Sequence, residues 1–170
     1  MTWTWAEALL ALVTAERLGE LWLARRNTAA LIAAGAHEAA PGHYPVIVAL
    51  HAAWLAGLWW LARDNPLQWG WLAAFLALQG LRVWTLATLG RRWTTRIIIL
   101  PGAPLVAKGP YRFVRHPNYV VVIGEIACLP LALGAPRFAL AFSLLNAAVL
   151  WVRIRAENAA LAGARLDGGR

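Results

Sequence analysis

Residues 108–125 read KGPYRFVRHPNYVVVIGE, passing from a basic turn through Arg-His-Pro into an apolar run that ends on a carboxylate. Proline is favoured at the first position of a helix, where its missing N–H leaves no bond unmade. Pro117 therefore marks a helix start, with His116 at the cap and Tyr119 one turn further on. Free backbone N–H groups at such an end attract anions, and Arg112 and Arg115 add positive charge. The same residue types also anchor a span at the membrane surface, so spacing alone leaves both readings open. Glu125 lies nine residues after His116, about 13 Å along the helix and about 180° round it. It shares a face with Asn118 rather than with His116. A carboxylate at that depth in a bilayer is costly; it belongs either to a site or to a buried partner such as Arg82.

Composition places this helix in a membrane. The chain has 170 residues, of which 61% are hydrophobic and only 14% charged, against about 25% charged in soluble domains. Eleven Trp residues suit a protein with two lipid–water interfaces. A single cysteine, Cys128, excludes an internal disulfide, and His37, Glu38, His43 and His51 lack metal-ligand spacing. No Lys or Arg precedes the first apolar run, which argues against a cleavable signal peptide.

A span needs about 20 mostly apolar residues. Five stretches qualify: Trp3 to Ala24, Tyr44 to Ala62, Pro66 to Leu89, Pro117 to Gly134, and Arg137 to Ile154. The expected fold is an all-α integral membrane protein of about five transmembrane helices, forming one domain over residues 1–170. Lys and Arg bias sets orientation. With the N-terminus outside, inner segments hold Arg25, Arg26, Arg91, Arg92, Arg96, Lys108, Arg112, Arg115, Arg153, Arg155, Arg165 and Arg170, and outer loops hold Arg63 and Arg137. An N-out, C-in protein follows, in the bacterial inner membrane, with the opening stretch at the cytoplasmic surface. The net charge of +8 thus collects on one wetted face, and nucleic acid is not the expected partner.

The segment from Gly90 to His116 is too long for a plain connector. Its β-branched run, Pro101-Gly102 turn and second apolar run predict a cytoplasmic loop or hairpin flap before helix four. In the first span, Glu16, Arg17 and Glu20 rarely face lipid; they either pair with Arg82 or line a polar cavity. Arg153 and Glu157 are four residues apart, on one helical face. That face turns toward His116 if the pair is functional, and the pair gives only local helix support if it is not.

Gly109-Pro110-Tyr111, Arg115-His116-Pro117-x-Tyr119, Glu125 and the late RIRAEN segment together resemble the isoprenylcysteine carboxyl methyltransferase family of integral membrane enzymes. The resemblance is strongest from Lys108 to Leu161, within a motif-bearing half at residues 90–161. The first half looks like a bacterial branch that methylates alkylpyrones or alkylresorcinols. The resemblance implies S-adenosylmethionine bound at the cytoplasmic face, without a Rossmann fold. Its cofactor-binding positions fall on Lys108, Gly109, Tyr111, His116, Pro117, Tyr119, Arg153 and Glu157. Arg153, Glu125 and His116 are the catalytic candidates, and no metal is implied. The acceptor would be lipophilic, a prenylcysteine-like carboxylate or an alkylpyrone or alkylresorcinol hydroxyl, reached among membrane lipids. Glu157-Asn158 departs from the family pattern, which often has two adjacent acids there. The competing readings are an NADPH-dependent reductase of isoprenoid lipids and a non-catalytic membrane bundle.

Overall fold

The computed structural model describes residues 4–167, with side chains as far as Leu161. Trp3 and Arg170 lie outside the described residues, as does the side chain of Arg165. Five α-helices are present among the described residues: α1 (Trp5–Ala33), α2 (Tyr44–Leu61), α3 (Trp69–Leu89), α4 (Pro117–Ala132) and α5 (Pro136–Asp167). Three helical segments are long and apolar enough to cross a membrane: Pro41–Leu61, Trp69–Arg92 and Pro136–Leu161. The α4 helix is apolar but has only 16 residues. The α1 helix has ample length at 29 residues but carries Glu16, Arg17, Glu20, Arg25 and Arg26.

Helix ends follow the local chemistry. At the start of α1, Thr4 and Glu7 form a reciprocal cap: the Glu7 amide donates to the Thr4 hydroxyl at 3.1 Å, and the Thr4 amide donates to the Glu7 carboxylate at 2.9 Å. The α4 helix begins at Pro117, as proline's fixed φ predicts. Its last carbonyls are covered by the α2–α3 loop. The Asn65 side chain donates to the Leu133 carbonyl at 2.8 Å, and the Gln68 amide donates to the Ala132 carbonyl at 2.7 Å. Unmet carbonyls at a helix end are thereby satisfied away from water.

The α4 helix packs against α3 and α5, and α2 packs against α1 and α5, around a small core of Leu10, Val13, Trp54, Leu58, Phe75 and Leu129. The α3 and α4 helices approach closely at Gly124, where an added Cβ would meet the Leu78 side chain at 2.5 Å. Outside this core the surface is apolar: Trp60, Trp69, Val83, Leu140, Leu144 and Trp151 are exposed. Water would penalise such a surface, and lipid would not.

Inside the bundle is a group of charges. Arg82 on α3 donates through Nε to Glu125 Oε1 at 2.8 Å and through Nη2 to Glu125 Oε2, and it reaches Glu20 at 2.9 Å. Arg17 contacts Glu20 and Glu125, each at 3.0 Å. Gln79 donates to Glu16 at 2.5 Å. Of the two readings of the α1 charges, the geometry selects pairing with Arg82. Both guanidiniums bridge α1 to α4, so three helices are tied through one set of hydrogen bonds.

The β-branched run before α4 lies in a loop, one of the two forms expected of it. It does not fold back on Leu105-Val106 as a hairpin. Strand β2 (Ile98–Ile99) pairs antiparallel with β1 (His37–Glu38), in register His37 with Ile99 and Glu38 with Ile98. The cause is burial and charge. Ile97 and Ile99 are buried, and Arg96 grips Glu38 at 2.7 Å. Asn27 near the end of α1 donates to the Trp93 carbonyl at 2.8 Å. The segment after α3 is thus stitched to the segment after α1.

Arg82→Gln is expected to lower stability by about 3–5 kcal/mol, because it removes the buried cation shared by Glu20 and Glu125 and leaves them only Arg17. Arg63→Gln, whose salt bridge is exposed, is expected to change it by less than about 1 kcal/mol. Thermal unfolding in detergent micelles measures both.

Candidate functional site

Antiparallel packing of α4 and α5 decides which side chains meet. The helices turn at Leu133, Gly134 and Ala135. The beginning of α4 therefore lies beside the stretch of α5 near Arg153. At 1.5 Å per residue the 32 residues of α5 extend about 48 Å. A bilayer core is about 30 Å thick, so α5 is longer than such a core.

Four side chains meet where α4 begins. Arg153 Nε donates to the Tyr119 hydroxyl at 2.9 Å, and that hydroxyl donates to Glu157 Oε2. His116 Nδ1 lies 3.8 Å from the same carboxylate oxygen. The His116 and Tyr119 rings stack, with centroids 5.1 Å apart and planes 23° apart. Arg153 and Tyr119 are buried, whereas the His116 and Glu157 side chains are 23% and 26% exposed. The site therefore has a fixed, dry half and a half that solvent reaches. In the same first turn of α4, Asn118 Oδ1 is buried with no hydrogen-bond partner among the described residues.

The turn before α4 completes the surroundings. Gly109–Arg112 forms a 3-10 turn whose first residue has φ +57. A Cβ at Gly109 would collide with the Thr88 side chain on α3, so glycine permits both the backbone angle and the close approach. Tyr111 follows in this turn. Burial, and then the Glu157 charge, push its phenol up to about 12.

The sequence-predicted residues divide into two groups. His116, Tyr119, Arg153 and Glu157 converge; Pro117 is buried beneath them as the first residue of α4. Tyr111 is near enough to feel the Glu157 charge. Glu125 lies elsewhere, with its carboxylate occupied by Arg82 and Arg17. Lys108 is exposed and faces a separate cavity with Arg91 and Arg92. Sequence reasoning missed Thr95, whose carbonyl accepts from Arg153 Nη2 at 2.9 Å and whose hydroxyl lies 3.0 Å from the Tyr44 hydroxyl. A backbone carbonyl 58 positions away leaves no signature in composition or spacing.

A helical protein with three membrane-capable segments and a polar, partly open cluster between α4 and α5 is the class that fold and site define. Residues 71–163 match the isoprenylcysteine carboxyl methyltransferase (ICMT) family, and the chain belongs to that family. Uncharacterized protein YpbQ of Bacillus subtilis (strain 168) is 41% identical over 159 residues, covering 90% of this chain and 94% of its own. The nickel-cobalt-cadmium resistance protein NccN of Alcaligenes xylosoxydans xylosoxydans is 37% identical over 90 residues, 49% of this chain and 42% of its own. No solved structure gives a significant match.

The Tyr111 environment sets a titration. The folded protein holds this phenolic proton more tightly than the unfolded chain, whose tyrosine ionises near 10. Its contribution to stability is complete below pH 10 and is lost as pH rises toward about 12. Difference absorbance at alkaline pH should show a late tyrosine ionisation whose amplitude falls by one tyrosine in Tyr111→Phe. In Glu157→Gln that ionisation should move to lower pH, while remaining above the ordinary value because burial persists.

Proposed function

We propose that the protein is an S-adenosylmethionine-dependent O-methyltransferase acting on a lipophilic acceptor. In this reading five spans run N-out to C-in, and the site faces the cytoplasm of a bacterial cell. Membership of a methyltransferase family supports the activity class. The observation that carries the reading is the convergence of His116, Tyr119, Arg153 and Glu157 between α4 and α5.

The donor set suits the cofactor. Glu157 accepts hydrogen bonds from hydroxyl or ammonium groups, and the stacked His116 and Tyr119 rings give a flat surface. Tyr111, which feels the Glu157 charge, completes the holding residues, while Lys108 turns into the cavity with Arg91 and Arg92. When bound, S-adenosylmethionine supplies the methyl group that the acceptor oxygen carries away. The protein's own part is to orient the reactants and exclude water, which is where most of the acceleration of such a displacement arises.

Arg153 is a positioning residue. Its Nε and Nη2 groups are spent on the Tyr119 hydroxyl and the Thr95 carbonyl; it fixes Tyr119, and through it Glu157. His116 is the proton acceptor, with Glu157 beside it to stabilise the imidazolium. A carboxylate acceptor is already ionised at neutral pH and needs no base, whereas a weakly acidic hydroxyl does. The imidazole–carboxylate pair therefore favours an alkylpyrone or alkylresorcinol hydroxyl over a prenylcysteine carboxylate. Glu125, locked in its ion cluster, has a structural role in this scheme.

S-Adenosylhomocysteine at 100 times its Kd is expected to stabilise the detergent-solubilised protein by about 2.7 kcal/mol. Glu157→Gln should abolish most of that shift, and NADPH should produce none. With labelled S-adenosylmethionine, an alkylpyrone should acquire one methyl group, and His116→Ala should slow this by about 100- to 10,000-fold. Stabilisation by NADPH alone, or methylation of a prenylcysteine at a rate indifferent to His116, would overturn the assignment.

A further inference from the structure

A cavity lies apart from the His116–Glu157 cluster. It measures about 610 Å³ and is lined by Thr88, Arg91, Arg92, Leu105, Val106 and Lys108, among others. Three cations face it, and no carboxylate lines it. None of the three forms a salt bridge among the described residues. Unneutralised like charges repel one another, so an arrangement that holds them together suits an anion.

The walls of the cavity are fixed. Arg92 Nη1 donates to the Pro104 carbonyl at 2.6 Å, fastening the loop to the end of α3. On the other side, Gly109 seats against Thr88, which places Lys108 beside that helix end. The surroundings are those of a membrane surface. The cavity lies at the last turn of the apolar segment Trp69–Arg92. Trp84 and Phe113 are exposed nearby, with ring centroids 6.4 Å apart, and Leu105 is exposed on its rim. Aromatic rings favour the headgroup layer, and basic pockets beside spans hold anionic headgroups.

We propose that this cavity binds the phosphate of an anionic membrane phospholipid, with Arg91, Arg92 and Lys108 on the phosphate and Leu105, Val106 and Phe113 against the upper acyl chain. A lipid is favoured over free phosphate because the cations share the cavity with apolar side chains that inorganic phosphate leaves uncovered. A lipid held here fixes the depth of the Gly109–Arg112 turn relative to the bilayer, and this holds whatever reaction the neighbouring site performs.

The test is lipid retention in native mass spectrometry, together with thermal unfolding in phosphatidylcholine nanodiscs with and without phosphatidylglycerol. Phosphatidylglycerol is expected to be retained and to raise Tm. Each basic residue at a membrane surface contributes about fivefold in affinity; R91Q/R92Q should therefore weaken retention roughly 25-fold, and Arg63→Gln should leave it intact. If the double variant fails to fold, Arg91→Gln alone should weaken it about fivefold. Retention unchanged in R91Q/R92Q overturns the site. An equal Tm rise with inorganic phosphate in phosphatidylcholine alone overturns the lipid assignment. Displacement of the lipid by S-adenosylhomocysteine shows that the cavity belongs to the cofactor site and overturns the proposal as well.

Discussion

The contact between Arg82 and Glu125 constrains everything else in this bundle. A guanidinium and a carboxylate withdrawn from water lose several kcal/mol of hydration each, and only close, saturated hydrogen bonding offsets that loss. Here the saturation comes from three helices. Arg82 belongs to α3, Glu125 to α4, and Glu20 and Arg17 to α1. Sliding any of the three along its neighbour would strand a charge in an apolar interior. Apolar packing against lipid has no such register, because an alkyl side chain meets an acyl chain equally well at many depths. The charges therefore specify where the helices stop relative to one another, and the apolar surfaces decide only that they lie in a membrane.

That fixed register carries through to the polar cluster. With α4 held by Glu125, its first turn is held too, and the short corner at Gly134 then sets which turn of α5 lies opposite. Tyr119 meets Arg153 and Glu157 because of this counting, with no long loop needed to place them. The segment between α3 and α4 is anchored at several points: by Asn27, by β1 and by Arg153 through the Thr95 carbonyl. Polar backbone near the membrane surface is thus paired with protein rather than left to lipid.

Some of this was legible before any coordinates. Pro117 announced a helix because its ring admits one φ. The four-residue interval from Arg153 to Glu157 put both on one face, and an apolar chain with three charges early in its first helix required those charges to find partners. Other features were not legible for a physical reason. The partner of Ile98-Ile99 is a two-residue strand some 60 positions earlier, and strands that short have no periodicity to detect. For Glu125 the sequence left a place in the site and a buried pairing with Arg82 both open. Depth in a helix can be computed from residue number, but which neighbour fills the space opposite depends on the packing of α1 and α3. Thr95 acts through its backbone, which every residue possesses.

The α5 helix is one uninterrupted rod from Pro136 onward. Its lower part shows Leu140 and Leu144 to the surroundings, and its upper part carries Arg153 and Glu157. A thinner bilayer is matched by leaning such a rod over, and a thicker one by standing it upright. Because no hinge separates the greasy end from the polar end, any lean is transmitted rigidly to Glu157. Membrane composition and the geometry around His116 are on this account mechanically coupled.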